Sequence, residues 1–218
     1  SENAGIRFMI AENYRYVPSV MAAARLINEG AIGPLNTMSL RAAFYTRPTG
    51  WRLSKEMMGG GALIDGGIHK ISVMRMLAGD PERVSAVVPP KVFPEMEGEE
   101  AVSLWATFPG GVVGSLDFTW AAPGESGISN CLLTGPDGHI SFDFFGNFIE
   151  LGSAGGKQTV VVGDYEQGMG GMLDAFVEYI QKGVEPATTA EVATRDLAVV
   201  LAAYESVATN GQPVLIKY

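Results

Sequence analysis

The chain has little sulfur chemistry to offer. Its 218 residues include one cysteine, Cys131, which excludes an internal disulfide and a cage of several thiolates around zinc. Cys131 lies in a strand pattern and reads as a small buried apolar side chain rather than a nucleophile. Histidine is almost as scarce, with two residues, His69 and His139. Basic residues are outnumbered 15 to 24, and the net charge of −9 argues against nucleic acid and anionic membranes as partners. No apolar run approaches the roughly 18 residues needed to span a bilayer. The start of the chain carries no charged-then-apolar leader pattern. These scarcities suit a cytoplasmic protein with no membrane partner. What is abundant is apolar: hydrophobic residues make up 47% and charged residues 18%, a globular balance with length for one large domain and a sizeable core.

Punctuation by glycine and proline divides the chain into two textures. Residues 6–11 read as a short apolar strand. Pro18 in a first helical turn, with Val20, Ala23, Ala24 and Ile27 as an apolar stripe, predicts a helix that Gly30 ends and Gly33-Pro34 keeps from resuming. Residues 35–46 read as a long strand, and a second helix runs to about Leu77, before the breaker cluster Gly79-Asp80-Pro81. The middle is strand-rich: residues 84–92, 101–108, 112–120, 129–134, 139–144, 147–151 and 159–162, separated by turn chemistry such as Pro109-Gly110-Gly111 and Gly135-Pro136-Asp137-Gly138. Short turns between successive strands require antiparallel pairing. Along residues 101–108 neither alternating set is strongly charged, so both faces of the sheet are expected to be covered, one by helices and one by a second copy of the chain. Two helices close the chain. One ends at Gly183, and the other starts at the capping box Thr188-Thr189-Ala190-Glu191 and ends at Asn210-Gly211; residues 214–216 add a last strand. The expected fold is α+β: a large, mostly antiparallel sheet with helices mainly on one face and no complete Rossmann domain.

The residues 59–69, Gly-Gly-Gly-Ala-Leu-Ile-Asp-Gly-Gly-Ile-His, carry the chemistry. Asp65 and His69 stand four apart, which puts both on one helix face. Asp65 lies near the positive end of the helix, and His69 is the side chain best suited to exchange a proton near neutral pH. A structural pair, with the imidazole satisfied locally, is the competing reading. Gly59–Gly61 and Gly66-Gly67 weaken a helix, so Gly60 and Gly61 point to close approach by a cofactor, a ligand or another backbone, or else to tight helix–sheet packing. A metal site is disfavoured because no third ligand accompanies Asp65 and His69. Ser54, Ser72 and Ser103 lack a nucleophile elbow. Gly168-Met169-Gly170-Gly171 follows a strand, but Leu173 fills the third glycine position of a dinucleotide fingerprint and no βαβ unit surrounds it.

With these residues in view, the chain resembles the C-terminal substrate domain of the glucose–fructose oxidoreductase / inositol dehydrogenase / rhizopine catabolism (Gfo/Idh/MocA) family. Residues 11–18 (Ala-Glu-Asn-Tyr-Arg-Tyr-Val-Pro) look like its interdomain crossing, 30–34 like its helix-to-strand turn, Trp51-Arg52 with 59–69 like its substrate loop and catalytic helix, and Glu185-Pro186 with Thr188 like its C-terminal end. The resemblance implies oxidation or reduction of a sugar, polyol or related carbinol with NAD or NADP. His69 would take the hydroxyl proton and Asp65 would orient or share it. Asn13, Tyr14, Arg15, Trp51 and Arg52 would line the pocket or the domain junction. It also implies a homo-oligomer through the sheet face. The departures are the family's Rossmann domain and its Glu-Lys-Pro tripeptide, both absent here, and Ser72, which stands where many members carry aspartate. Residues 1–15 would then be the remnant strand and crossing of a missing dinucleotide-binding domain, and 16–218 the substrate and oligomerisation domain. Such a chain is expected to be inactive alone. The alternatives are a non-catalytic binding or assembly module that lost its cofactor domain and a cofactor-free isomerase or lyase using Asp65 and His69.

Overall fold

The computed structural model describes residues 2–124, 128–163 and 167–218. The fold is α+β. Among the described residues nine strands form one sheet in the order β8-β7-β6-β5-β1-β4-β3-β2-β9. They are β1 (Thr37–Ala43), β2 (Arg83–Val87), β3 (Ala101–Thr107), β4 (Val113–Thr119), β5 (Ile128–Gly135), β6 (Gly138–Asp143), β7 (Phe148–Ser153), β8 (Gly156–Val161) and β9 (Val214–Leu215). The hairpins β3–β4, β5–β6, β6–β7 and β7–β8 follow the turn chemistry of the sequence. One pairing departs from the antiparallel rule: β1 runs parallel to β4, with Thr37 opposite Val113 and Ala43 opposite Thr119. The chain leaves β1, builds helices and two further strands, and returns beside it, the long connection that parallel pairing needs.

Alternation decides which face is dry. Met38, Leu40 and Ala42 of β1, Val102, Leu104 and Ala106 of β3, and Leu116 and Phe118 of β4 are buried on the helix side. The described residues form four longer helices, α1 (Pro18–Asn28), α3 (Ile68–Ala78), α4 (Met169–Lys182) and α5 (Ala190–Ala208), and α2 (Lys55–Met58) is a single turn; α4 lies against the Tyr14–Tyr16 turn rather than on the sheet. Helix α1 packs on β6 and β7, α5 packs on β2 and β9, and α3 lies between α1 and α5. Thr189 caps α5 by accepting from the Val192 N–H at 3.2 Å, one residue later than the expected box, whose first member Thr188 makes no cap. The opposite face of the sheet carries no helix among the described residues. Trp105, Leu132 and Phe148 are exposed on it, and its concavity of about 770 Å³ is lined by groups such as Ser39, Arg41, Asp117 and Asn130.

Residues 6–11 do not form the expected strand. Ile10 donates one backbone hydrogen bond, to the Thr188 carbonyl at 3.0 Å, and Ile6 and Phe8 are 63% and 48% exposed. A strand needs a neighbour along its length, and this segment meets one only at a point. Ser1, the first residue of the expected remnant strand, lies outside the described residues.

Candidate active site

The glycine-rich entry to α3 is not a regular helix start. Gly59 ends α2 in the left-handed conformation, with φ of 82°, where a side chain would be strained. A π turn spans Leu63–Gly67 and feeds into α3. Wide turns of this kind recur at functional sites. The close approach at Gly60 and Gly61 is made by the protein itself. A Cβ on Gly60 would strike the Tyr204 hydroxyl, and one on Gly61 would strike Glu99. Those two residues satisfy the free N–H groups of the turn. The Gly61 N–H donates to Tyr204 Oη and the Leu63 N–H to Glu99 Oε1, both at 3.0 Å, while the Ala62 N–H donates to the Glu99 carbonyl at 2.7 Å. Burial pushes the Glu99 carboxyl and the Tyr204 phenol upward from their ordinary values. Gly60 and Gly61 therefore face this brace and offer no cradle for a dinucleotide phosphate. The second glycine cluster is closed as well, since a Cβ on Gly168 would meet the Asn13 carbonyl. Neither glycine cluster therefore forms a cradle for a nucleotide phosphate.

His69 is held by a different carboxylate from the expected one. Its Nδ1 lies 2.7 Å from Glu12 Oε2, and Glu12 Oε1 accepts from the Tyr14 N–H at 2.8 Å. A carboxylate only accepts, so in the neutral imidazole the ring proton sits on Nδ1 and Nε2 carries the lone pair. The imidazole stacks on Tyr14 with ring centroids 4.5 Å apart and planes 16° from parallel. Asp65 shares no hydrogen bond with His69 among the described residues. Its Oδ2 accepts from Arg52 Nε at 2.7 Å, and the Arg52 guanidinium lies over the Trp51 ring at 4.5 Å. Asp65 stands in the π turn and His69 on α3; the opposite charge of Arg52 claims the aspartate and Glu12 claims the histidine.

Other expected pocket residues are turned inward. Arg15 is buried, with Nε donating to Ser72 Oγ at 2.7 Å and its guanidinium paired to Asp196 at 3.5 Å. Asn13 is buried and donates to the Gln167 carbonyl at 2.6 Å. Tyr14, Trp51 and Arg52 stay with the site, Tyr14 against His69 and the other two beside Asp65. Sequence reasoning missed Glu12, Lys70, Glu99 and Tyr204. The available signals were a charge within an otherwise apolar crossing at Glu12 and a lysine inside a helix that has no polar face. Among the described residues no group of three His, Cys, Asp or Glu side chains is placed to hold a metal, and no helix is long and apolar enough to cross a membrane.

An open, mostly antiparallel sheet with the His69 helix on its covered face is the frame on which the site is built. The model of the GFO/IDH/MocA C-terminal domain matches residues 20–141, and the chain belongs to that family. The match includes the π turn, Asp65 and His69; Glu12 and Tyr14 precede it. Levoglucosan dehydrogenase of Pseudarthrobacter phenanthrenivorans is 28% identical over 66% of this chain and 44% of its own length. D-apiose dehydrogenase of Paraburkholderia graminis is 27% identical over 99% of this chain and 61% of its own. The chain thus spans about half of the curated relatives it matches. A solved structure of levoglucosan dehydrogenase with NADH superposes with a TM-score of 0.84 at 25% identity, covering 99% of this chain and 67% of that one. The aldose–aldose oxidoreductase of Caulobacter crescentus, solved with glycerol, superposes with a TM-score of 0.88 at 24% identity over 99% of this chain and 65% of that one, which shows the shared fold.

Proposed function

We propose that this chain is the substrate-binding domain of an NAD(P)-dependent sugar or polyol oxidoreductase, with His69 as the proton acceptor. The observation that carries the reading is the Glu12–His69 pair, which fixes the tautomer and leaves Nε2 free to accept from a carbinol hydroxyl. Glu12 holds the ring as a positioning carboxylate and stabilises the imidazolium once the proton arrives. The Arg52–Asp65 pair and the Trp51 ring supply a charged hydrogen-bonding group and an apolar platform, the two kinds of contact that a sugar uses. The relatives that bind NADH or act on levoglucosan and D-apiose support the sugar class. The nicotinamide belongs to protein outside these residues, and residues 1–15 are the crossing toward it.

Calorimetry on the chain as it stands tests the assignment. Levoglucosan or D-apiose should bind, and NADH should not; micromolar affinity for NADH would overturn the division of labour. In the enzyme completed by its dinucleotide domain, His69→Gln should lower turnover by about 10²–10⁴-fold with little change in sugar affinity. Unaltered turnover would favour the non-catalytic module instead. The exposed Trp105, Leu132 and Phe148 support pairing of two copies through the open sheet face. Light scattering should then report a dimer or larger, and a monomer would count against it.

A further inference from the structure

Lys70 follows His69 on α3 and is 1% exposed. It is one of the largest fully enclosed side chains of the molecule, inside a helix whose neighbouring positions Ile71, Val73 and Met74 are apolar and buried. A methionine would fill such a place at no cost in desolvation, whereas an amine there is expensive to keep. Its surroundings show what the amine does in return. The Nζ atom donates to Ser129 Oγ at 2.8 Å, and among the described residues that hydroxyl is its hydrogen-bond partner. It lies 3.2 Å from the centroid of the Phe144 ring, 4.5 Å from that of Tyr14 and 5.6 Å from that of Phe145. An amine so placed presents its N–H groups to ring faces.

Tyr14 is the ring that connects this amine to the candidate active site. It stacks on His69, and Phe145 meets it edge-on, with centroids 5.4 Å apart and planes at 85°. The imidazole, the Phe144 and Phe145 rings and the Lys70 amine all meet the Tyr14 ring. The amine is tied at its far end to β5 through Ser129. Burial drives the Lys70 amine well below the ordinary lysine range, and the Cys131 thiol and the Glu12 carboxylate only partly oppose that fall.

We propose that Lys70 is a positioning residue for His69: anchored on Ser129 and enclosed by Tyr14, Phe144 and Phe145, it fixes the Tyr14 ring against which the imidazole lies. The functional meaning of this inference rests on His69 being the proton acceptor. Its test needs neither sugar nor nucleotide, so the two can fail separately.

The chain's two histidines make the test clean, because His139 serves as an internal control. In the wild type, the ring current of Tyr14 should displace the carbon-bound proton signals of the His69 ring upfield in NMR spectra. Tyr14→Leu should abolish that displacement. Lys70→Met should remove most of it while leaving His139 unmoved and the protein folded. Ser129→Ala, a small change that frees the amine, should remove part of it, and this variant decides the matter should Lys70→Met not fold. A His69 signal at its wild-type position in folded Lys70→Met, or in Ser129→Ala where that variant alone folds, would show Lys70 to be a space-filling side chain and overturn the proposal.

Discussion

Helix α3 carries two buried basic side chains, and they are held in opposite ways. Arg75 is surrounded by opposite charge: its guanidinium pairs with Asp196 and with Asp80, and it donates to the Val192 carbonyl at 2.8 Å. Asp196 also meets Arg15, and Asp80 also meets Arg195, so the cluster ties the Tyr14–Tyr16 turn, α3, α5 and the loop before β2 into one unit. Lys70 has a hydroxyl and three rings in place of carboxylates. The first arrangement satisfies every charge it buries. The second leaves an amine whose solvation is only partly replaced, next to the histidine of the candidate active site. Groups retained at such expense cluster at functional sites, and the contrast on this single helix sets a charge-paired guanidinium against an amine with no carboxylate partner among the described residues.

The largest effect should come from the charged cluster. Asp196→Ala leaves Arg15 and Arg75 buried without their shared carboxylate and should cost about 3–5 kcal/mol of stability, measured by urea unfolding. A loss below about 1 kcal/mol would mean that water or a neighbouring group replaces the carboxylate and that the cluster is no structural tie. Ser72→Ala should be milder, about 1–3 kcal/mol, because it removes the partner of Arg15 Nε and leaves the ion pairs intact.

Lys70→Met should have the opposite sign. The folded protein holds this amine below its unfolded value, so the unfolded chain binds the extra proton in between. Wild-type stability should then rise with pH across the window that ends at the unfolded lysine value of about 10.4. The variant should be more stable than wild type at pH 7, and its advantage should shrink as pH approaches 10. A variant less stable than wild type at pH 7 would place Lys70 with Arg75 as a structural cation. The smallest effect on stability belongs to Arg52→Ala, below about 1 kcal/mol because the pair with Asp65 is partly exposed. The same change should weaken sugar binding in calorimetry, and unaltered sugar affinity would remove Arg52 from the site.

Much of this could be read from residue order. Turn signals such as Gly135-Pro136-Asp137-Gly138 mark the β5–β6 hairpin, and the breaker at Gly79-Asp80-Pro81 marks the end of α3, because both are local chemistry. His69 and Asp65 were visible for the same reason. The partners of these residues were not. Glu12 reaches His69 across 57 positions, and Ser129 reaches Lys70 across 59. Neither periodicity nor turn chemistry encodes which distant carboxylate or hydroxyl arrives at a given helix. Gly60 and Gly61 do mark close approach, and of the alternatives open in the sequence it is the protein itself that approaches, through the Tyr204 side chain and the backbone and side chain of Glu99. The strand expected at residues 6–11 failed because alternation says what a segment is fit to do and not whether a partner is present.

The parallel pairing of β1 with β4 bears on how the molecule assembles. Half of the neighbouring strand pairs in the sheet (β3–β4, β5–β6, β6–β7 and β7–β8) are joined by tight turns and can zip locally. The central strand waits for chain that follows it by 76 positions, since Thr37 pairs with Val113. Closing that loop costs entropy before any contact repays it, so the sheet should form from its two flanks inward, with β1 sealing the seam late. Stopped-flow refolding should show this as slow acquisition of the final structure, in the millisecond-to-second range typical of non-local sheets, preceded by faster hairpin signals. Until the seam closes, the edges of β4 and β5 remain free to pair with other chains, which makes this junction the point at which crowding during refolding would first cause aggregation.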